Sequence, residues 1–155
     1  VQKIKSFVLG GHGDSMVAML GSTEIEGKKI IEFVKEGKLS KERLEQIVER
    51  TKKGGAEIVK FLEKGSAFYA PAASGVEMAE CYLKDSKKQL PCAVYLNGEY
   101  GAKDIYAGVP VIIGSGGVEK IIELNLSPEE KKNFEKSVEA VKELFNAAKK
   151  IDPTL

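Results

Sequence analysis

LPCAVYLNGEYG, residues 90–101, places Leu90, Cys92, Val94 and Leu96 at every second position and then reaches Asn97-Gly98. A period of two is the signature of a strand with one face buried. Asn-Gly between such runs is the strongest short-range signal for a hairpin turn. Downstream, "GVPVIIGSGGVEKIIEL" (108–124) predicts two more strands around Gly114 to Gly117. "SPEEKKNFEKSVEAVKELFNAAKK" (127–150) then predicts a long helix. Ser127 is its N-cap, Pro128 takes the first helical position and Glu130 completes a capping box. Phe134, Val138, Val141, Leu144 and Phe145 are its expected buried stripe.

Upstream of residue 88 the period is helical. "AFYAPAASGVEMAECYLKD" (67–85) reads as a helix rich in small residues, with Pro71 in its first turn. Ser40 caps an earlier helix whose Leu44, Ile47 and Val48 keep helical spacing. "KKGGAEIVKFLEKG" (52–65) resumes that spacing after Gly54-Gly55, a pair that predicts a kink or a close backbone approach. "KKIIEFVKEG" (28–37) reads as a short helix closed by Gly37. Further back, "SFVLGG" (6–11) is a strand feeding a tight turn, and "MVAMLGSTEIEG" (16–27) is a second strand region. The order of strands, helices, strands, helix is a segregated α+β pattern, with antiparallel hairpins packed against long helices.

The 155 residues suffice for one domain with its own core. The net charge of +1 offers no basic excess for a phosphate backbone, so nucleic acid is excluded as the expected partner. Stretches such as "KLSKERLEQIVERTKK" (38–53) read as solvated mixed-charge faces. No apolar run approaches the ~20 residues that cross a bilayer, and no secretion signal is visible, so a cytoplasmic location is expected. Cys81 and Cys92 have no metal-ligand or disulfide spacing and read as free thiols in core segments.

The dinucleotide-loop reading of "GSGG" (114–117) fails. The fingerprint G-x-G-x-x-G requires glycine at position 119, which is Glu, and must open a helix, whereas "VEKIIEL" alternates like a strand. A hairpin turn accounts for the glycines. There is no phosphate loop and no G-x-S-x-G elbow, and one histidine among scattered acids gives no metal site.

That leaves "VLGGHGDSMV" (8–17), which holds His12, the single histidine, between Gly11 and Gly13 with Asp14 beyond. One reading is a turn histidine bonded to backbone. The other is that the glycines leave the ring open to a small molecule, where an imidazole can give and take a proton near neutral pH.

"VLGGHGDSMV" resembles the active-site signature G-x-H-G-D-[ST] of the lactate/malate dehydrogenases. "RTKKGGAEIVKFLEKGSAFYAPAASGVEMAECYLKD" (50–85) is similar to the segment that follows it in the lactate-dehydrogenase-like malate dehydrogenases of bacteria. "YLNGEYGAKDIYAGVPVIIGSGGVEKIIELNLSPEEKKNF" (95–134) resembles their C-terminal hairpins and last helix. The resemblance covers essentially all of 1–155, and "APAAS" favours malate over lactate members.

The resemblance implies that residues 1–155 are a single C-terminal substrate/catalytic domain. It places the NAD-binding Rossmann domain, the substrate-binding arginines and the Asp that orients the histidine in an N-terminal half outside this chain. It implies an NAD-dependent oxidoreductase interconverting malate and oxaloacetate, with a lactate dehydrogenase domain or a non-catalytic assembly module as alternatives. His12 is then the proton acceptor and donor. Gly11, Gly13 and Asp14 support its loop, and Asp14 is not assigned as its partner. Ala67 stands near the substrate where lactate members carry a threonine, leaving room for a second carboxylate. Pro71 stands where an apolar residue faces the nicotinamide. The chain by itself is expected to be inactive and the full enzyme to be a homo-oligomer. Ala18 and Gly21 depart from the family's "MVPLVRYS"-like continuation, which carries a proline and an arginine there, and this leaves the oligomer interface open.

Overall fold

In chain order the elements are β1 (Ile4–Lys5), β2 (Val8–Gly10), β3 (Met16–Ala18), β4 (Glu24–Ile25), β5 (Lys28–Lys29), α1 (Ile30–Lys35), α2 (Lys41–Lys52), α3 (Gly54–Leu62), α4 (Tyr69–Leu83), β6 (Lys88–Asn97), β7 (Lys103–Gly114), β8 (Gly117–Ile121) and α5 (Pro128–Ile151). The computed structural model describes residues 3–154. The strands form two antiparallel sheets. The small one has the order β1-β4-β5, and the large one β3-β2-β7-β6, with β8 also pairing β7. The α+β expectation therefore holds.

The β6–β7 hairpin is the spine of the large sheet, in register from Lys88↔Ile113 to Asn97↔Lys103 with a bulge at Leu96/Asn97. Period two decides what it buries: Leu90, Cys92 and Leu96 on β6 face Ile105, Ala107, Val109, Val111 and Ile113 on β7 inside one core. The turn is longer than the Asn97-Gly98 pair suggests. Tyr100 adopts a left-handed backbone, φ 56°, within a turn of 3-10 helix, and Gly98 N–H closes the loop on Ala102 O at 2.8 Å. The Tyr100 ring accounts for the extra residues. It packs on Phe134, with centroids 5.2 Å apart, while its hydroxyl donates to Ile122 O and accepts from Leu124 N. The "GSGG" glycines, by contrast, form the β7–β8 hairpin turn that the sequence predicts.

α5 covers the inner face of the large sheet. Its capping box is present in both directions: Ser127 Oγ accepts from Glu130 N, and Glu130 Oε2 accepts from Ser127 N at 2.9 Å. Phe134 and Val138 enter the core, and burying each contributes roughly 1.5–3 kcal/mol. The predicted stripe stops there. Val141 is half-buried against the core, whereas Leu144 is 72% exposed and Phe145 is exposed, and neither joins the core. The buried face holds Ser137 instead.

The predicted strand region 16–27 is divided. β3 and β4 are separated by a 3-10 turn at Leu20–Ser22, whose Gly21 N–H donates to Glu130 Oε1 at 2.9 Å. This bond ties the small sheet's approach to the start of α5. Burial pushes the Glu130 carboxyl up, but hydrogen bonds from the Ser127 and Gly21 backbone and the Ser127 side chain outweigh it and hold it below the usual carboxylate range.

α2, α3 and α4 form a lightly packed layer. Ser40 caps α2 as expected, accepting from Arg43 N at 3.1 Å. The break between α2 and α3 falls at Lys53, just before the glycine pair. A side chain at Gly54 or Gly55 would meet nothing within 4 Å, so no close approach occurs there. Arg50 instead bridges the break with two hydrogen bonds to Glu57, at 3.1 and 2.9 Å. Pro71 is the third residue of α4, where a missing N–H loses no intrahelical bond. Cys81 is the one residue of α4 that is buried, and α3 buries none.

Candidate functional site

β2 runs to Gly10, and a 3-10 turn begins at Gly13 and ends at Ser15. His12 occupies the extended position that caps this turn, with φ −94° and ψ 147°. Its side chain is exposed. The ring forms no hydrogen bond and no ion pair with any described residue, and Asp14 is not bonded to it. The exposed residues Asp14 and His12 share one wall of a groove.

The glycines around His12 have different reasons from the one the sequence suggests. A Cβ on Gly10 would lie 2.2 Å from Ser137 Oγ and 2.8 Å from Ser137 Cβ. Gly10 also holds φ +91°, a conformation that costs an L side chain about 1–2 kcal/mol. A Cβ on Gly11 would lie 2.3 Å from Ser15 Oγ, whereas one on Gly13 would meet nothing within 4 Å. The first two glycines therefore let the turn settle against α5 and against itself, and only Gly13 leaves space on the open side.

The groove has a volume of about 760 Å³, within the ~300–1,000 Å³ typical of small-molecule sites. It runs between the His12 turn, the end of α2, α3 and the first turn of α4. His12, Asp14 and Met16 line one side, and Ile58, Val59, Ala67, Ala70 and Pro71 line the other. The structure thus brings His12 to one cavity with Ala67 and Pro71, which lie 55 and 59 residues further along the sequence. Thr51, Lys52 and Lys53 also line it. Lys52 sits in the last turn of α2, where a cation is favoured by the helix dipole, and pairs with Glu49 at 3.6 Å. A shallower depression behind the turn, about 410 Å³, is lined by Gly10, Gly11, His12, Cys92, Gly108 and Val141. Burial, above all, and the nearby Cys81 and Glu77 charges push the Cys92 thiol up.

The residue missed in sequence is Ser137. Its Oγ accepts a hydrogen bond from Gly11 N–H at 2.8 Å, and the side chain is 3% exposed. The available signal was its spacing: Ser137 follows Phe134 by three residues, so it lies on the buried face, where a hydroxyl must find a partner. Among the described residues no group of three or more His, Cys, Asp and Glu side chains could hold a metal ion. No described helix is long and apolar enough to cross a membrane.

The fold and the groove define an α+β domain that offers one imidazole, on a glycine turn braced by the last helix, to a cavity shared by four elements. A family model described as the lactate/malate dehydrogenase, alpha/beta C-terminal domain matches residues 1–151, and the chain belongs to that family. The chain is 64% identical over 155 residues to the malate dehydrogenase of Pelagibacter ubique (strain HTCC1062), covering 100% of this chain and 48% of that protein. The crystal structure of Cryptosporidium parvum malate dehydrogenase superposes with a TM-score of 0.92 at 45% identity, covering 96% of this chain and 48% of that one. The lactate dehydrogenase of the same organism, complexed with lactic acid and nicotinamide adenine dinucleotide, gives a TM-score of 0.92 at 40% identity, covering 94% of this chain and 46% of that one. The chain spans about half the length of the curated relatives it matches.

Proposed function

We propose that this chain is the substrate-side half of an NAD-dependent malate dehydrogenase, with His12 as its proton carrier and the NAD-binding Rossmann half supplied from outside these 155 residues. The observation that carries the reading is the meeting of His12, Ala67 and Pro71 in one groove, in a chain 64% identical to a protein named malate dehydrogenase.

In the oxidation direction, a ring nitrogen of His12 accepts the proton of the substrate hydroxyl. In the reverse direction, the imidazolium polarises the carbonyl oxygen and returns the proton to it. Histidine suits both directions because its two protonation states are close in free energy near pH 7. When bound, NAD supplies the hydride acceptor or donor.

The fit of the chain to that cofactor is partial. Ile58, Val59, Ala70 and Pro71 give the groove an apolar side suited to a flat nicotinamide ring. The glycines at 114–117 are spent on a hairpin turn and open no helix, so they offer no cradle for the phosphates. Ala67, as the smallest side chain that still keeps a Cβ, leaves room beside the reacting carbon for a second carboxylate. A homo-oligomeric, cytoplasmic enzyme belongs to the same reading.

The test is a chimera in which these 155 residues replace the matching residues of the Pelagibacter ubique malate dehydrogenase. NADH oxidation is expected with oxaloacetate from the chimera and none from the 155-residue chain alone. Turnover by the chain alone, or a chimera that folds and binds NADH yet leaves oxaloacetate unreduced, would overturn the reading.

A further inference from the structure

We infer that Ser137, on the buried side of α5, is a positioning residue of His12 that acts through the backbone of its turn. This rests on the reading of His12 as the proton carrier. No described side chain holds the His12 ring, so within this chain its place is set by the backbone that carries it, and an orienting carboxylate from outside these residues has to meet it there. That backbone is fixed on both sides. Ahead of it, Gly11 N–H donates to Ser137 Oγ at 2.8 Å. Behind it, the His12 carbonyl accepts from Ser15 Oγ at 3.3 Å.

Ser137 lies 126 residues from Gly11 and belongs to a rigid element. α5 is capped at its start, and Phe134 and Val138 on either side of Ser137 are 1% and 5% exposed. A side chain locked by core packing transmits that rigidity to whatever it bonds. The turn is shaped to receive it: Gly10 lacks the Cβ that would lie 2.2 Å from Ser137 Oγ. The contact is therefore built from three sides, by a glycine that admits the hydroxyl, an N–H that donates to it, and a helix that holds it still. Its loss leaves Gly11 N–H without an acceptor and gives the turn slack. A displacement on the order of 1 Å at a reacting group costs up to about 100-fold in rate.

The experiment compares Ser137→Ala with Val138→Ala, a core truncation one residue away that leaves the Gly11 contact intact. In the 155-residue chain, Ser137→Ala is expected to speed amide exchange at Gly11 about fivefold, the equivalent of one hydrogen bond, and to shift the His12 ring resonances; Val138→Ala is expected to leave the His12 ring resonances in place. In the chimera, Ser137→Ala is expected to lower kcat about 10- to 100-fold, with KM for oxaloacetate little changed. Val138→Ala, at an equal or larger fall in Tm, is expected to keep kcat. Equal losses of kcat from the two variants at matched Tm would overturn the inference, as would unchanged Gly11 exchange in Ser137→Ala. If the unsubstituted chimera is inactive, the dehydrogenase reading fails alone, and the Gly11 and His12 signals in the chain still decide the positioning claim.

Discussion

Replacing Glu130 is expected to loosen the junction between α5 and the 3-10 turn before β4. One carboxylate there accepts two backbone N–H groups, from Ser127 and from Gly21, each at 2.9 Å, and the residue is 9% exposed. Hydrogen bonds to a charged group contribute about 1.5–3 kcal/mol each, which bounds Glu130→Ala at about 3–6 kcal/mol. Both donors are only partly buried, so water recovers some of this and the expected cost is near the lower end, about 3 kcal/mol. For a chain of this size that corresponds to a fall in Tm of about 6–12 °C. The effect carries a pH signature. The folded carboxyl titrates below its usual range, so its stabilisation is complete above the ordinary carboxylate pKa of about 4. It is lost as pH falls through the lower folded value. Glu130→Gln keeps the shape but not the charge, so the gap between the native chain and this variant is expected to be wide at pH 7 and to close below about pH 4. Thermal unfolding by circular dichroism across that range is the assay. A cost under ~1 kcal/mol at pH 7, or a gap that does not change with pH, would refute the reasoning.

Three further outcomes follow from the same structure. Gly10→Ala combines a left-handed backbone with overpacking against Ser137, and is expected to cost about 2–5 kcal/mol in thermal unfolding; Gly13→Ala, which meets no neighbour, avoids the packing part of that cost. The Cys92 thiol, pushed up mainly by burial and further by Cys81 and Glu77, is expected to resist a disulfide reagent at neutral pH in the folded chain and to react on unfolding, as absorbance of the released thiolate reports; full labelling without unfolding would contradict this. The apolar side chains left exposed on and between α3 and α4, among them Phe61, Phe68, Tyr69 and Leu83, are expected to make the chain alone self-associate with rising concentration, and light scattering from a clean monomer throughout would count against it.

The elements defined by local chemistry were legible in the sequence. The Ser127–Pro128–Glu130 box, the Ser40 cap and the period-two run of β6 each depend on residues within a few positions of one another, and each forms as read, whereas β7 begins at Lys103, ahead of the strand read from Gly108. What failed depends on contacts distant in sequence. Leu144 and Phe145 keep helical spacing, but the helix's contribution to the core reaches only as far as Val141. Asn97-Gly98 signals a hairpin correctly, yet the loop is lengthened because the Tyr100 ring reaches Phe134 and the 122–124 segment. Gly21, odd against the family pattern, sits where a Cβ would lie 3.3 Å from the carboxylate of Glu130, 109 residues away. At the candidate site the residue types were readable and their support was not. His12, Ala67 and Pro71 could be picked out by resemblance, but a groove between a turn and three helices has no signature in any one stretch. Nor can the pairing of Gly11 with Ser137 be read before the helix is laid on the sheet.

The measurement closest to the central claim is the turnover of His12→Asn in the chimera with oxaloacetate and NADH. Asparagine preserves a polar side chain at the turn but cannot carry a proton at neutral pH. The account predicts a fall in kcat of about 10²- to 10⁴-fold, the contribution of a positioned general acid–base group, in a chimera that still unfolds cooperatively. A His12→Asn chimera that reduces oxaloacetate at the unsubstituted rate would contradict it.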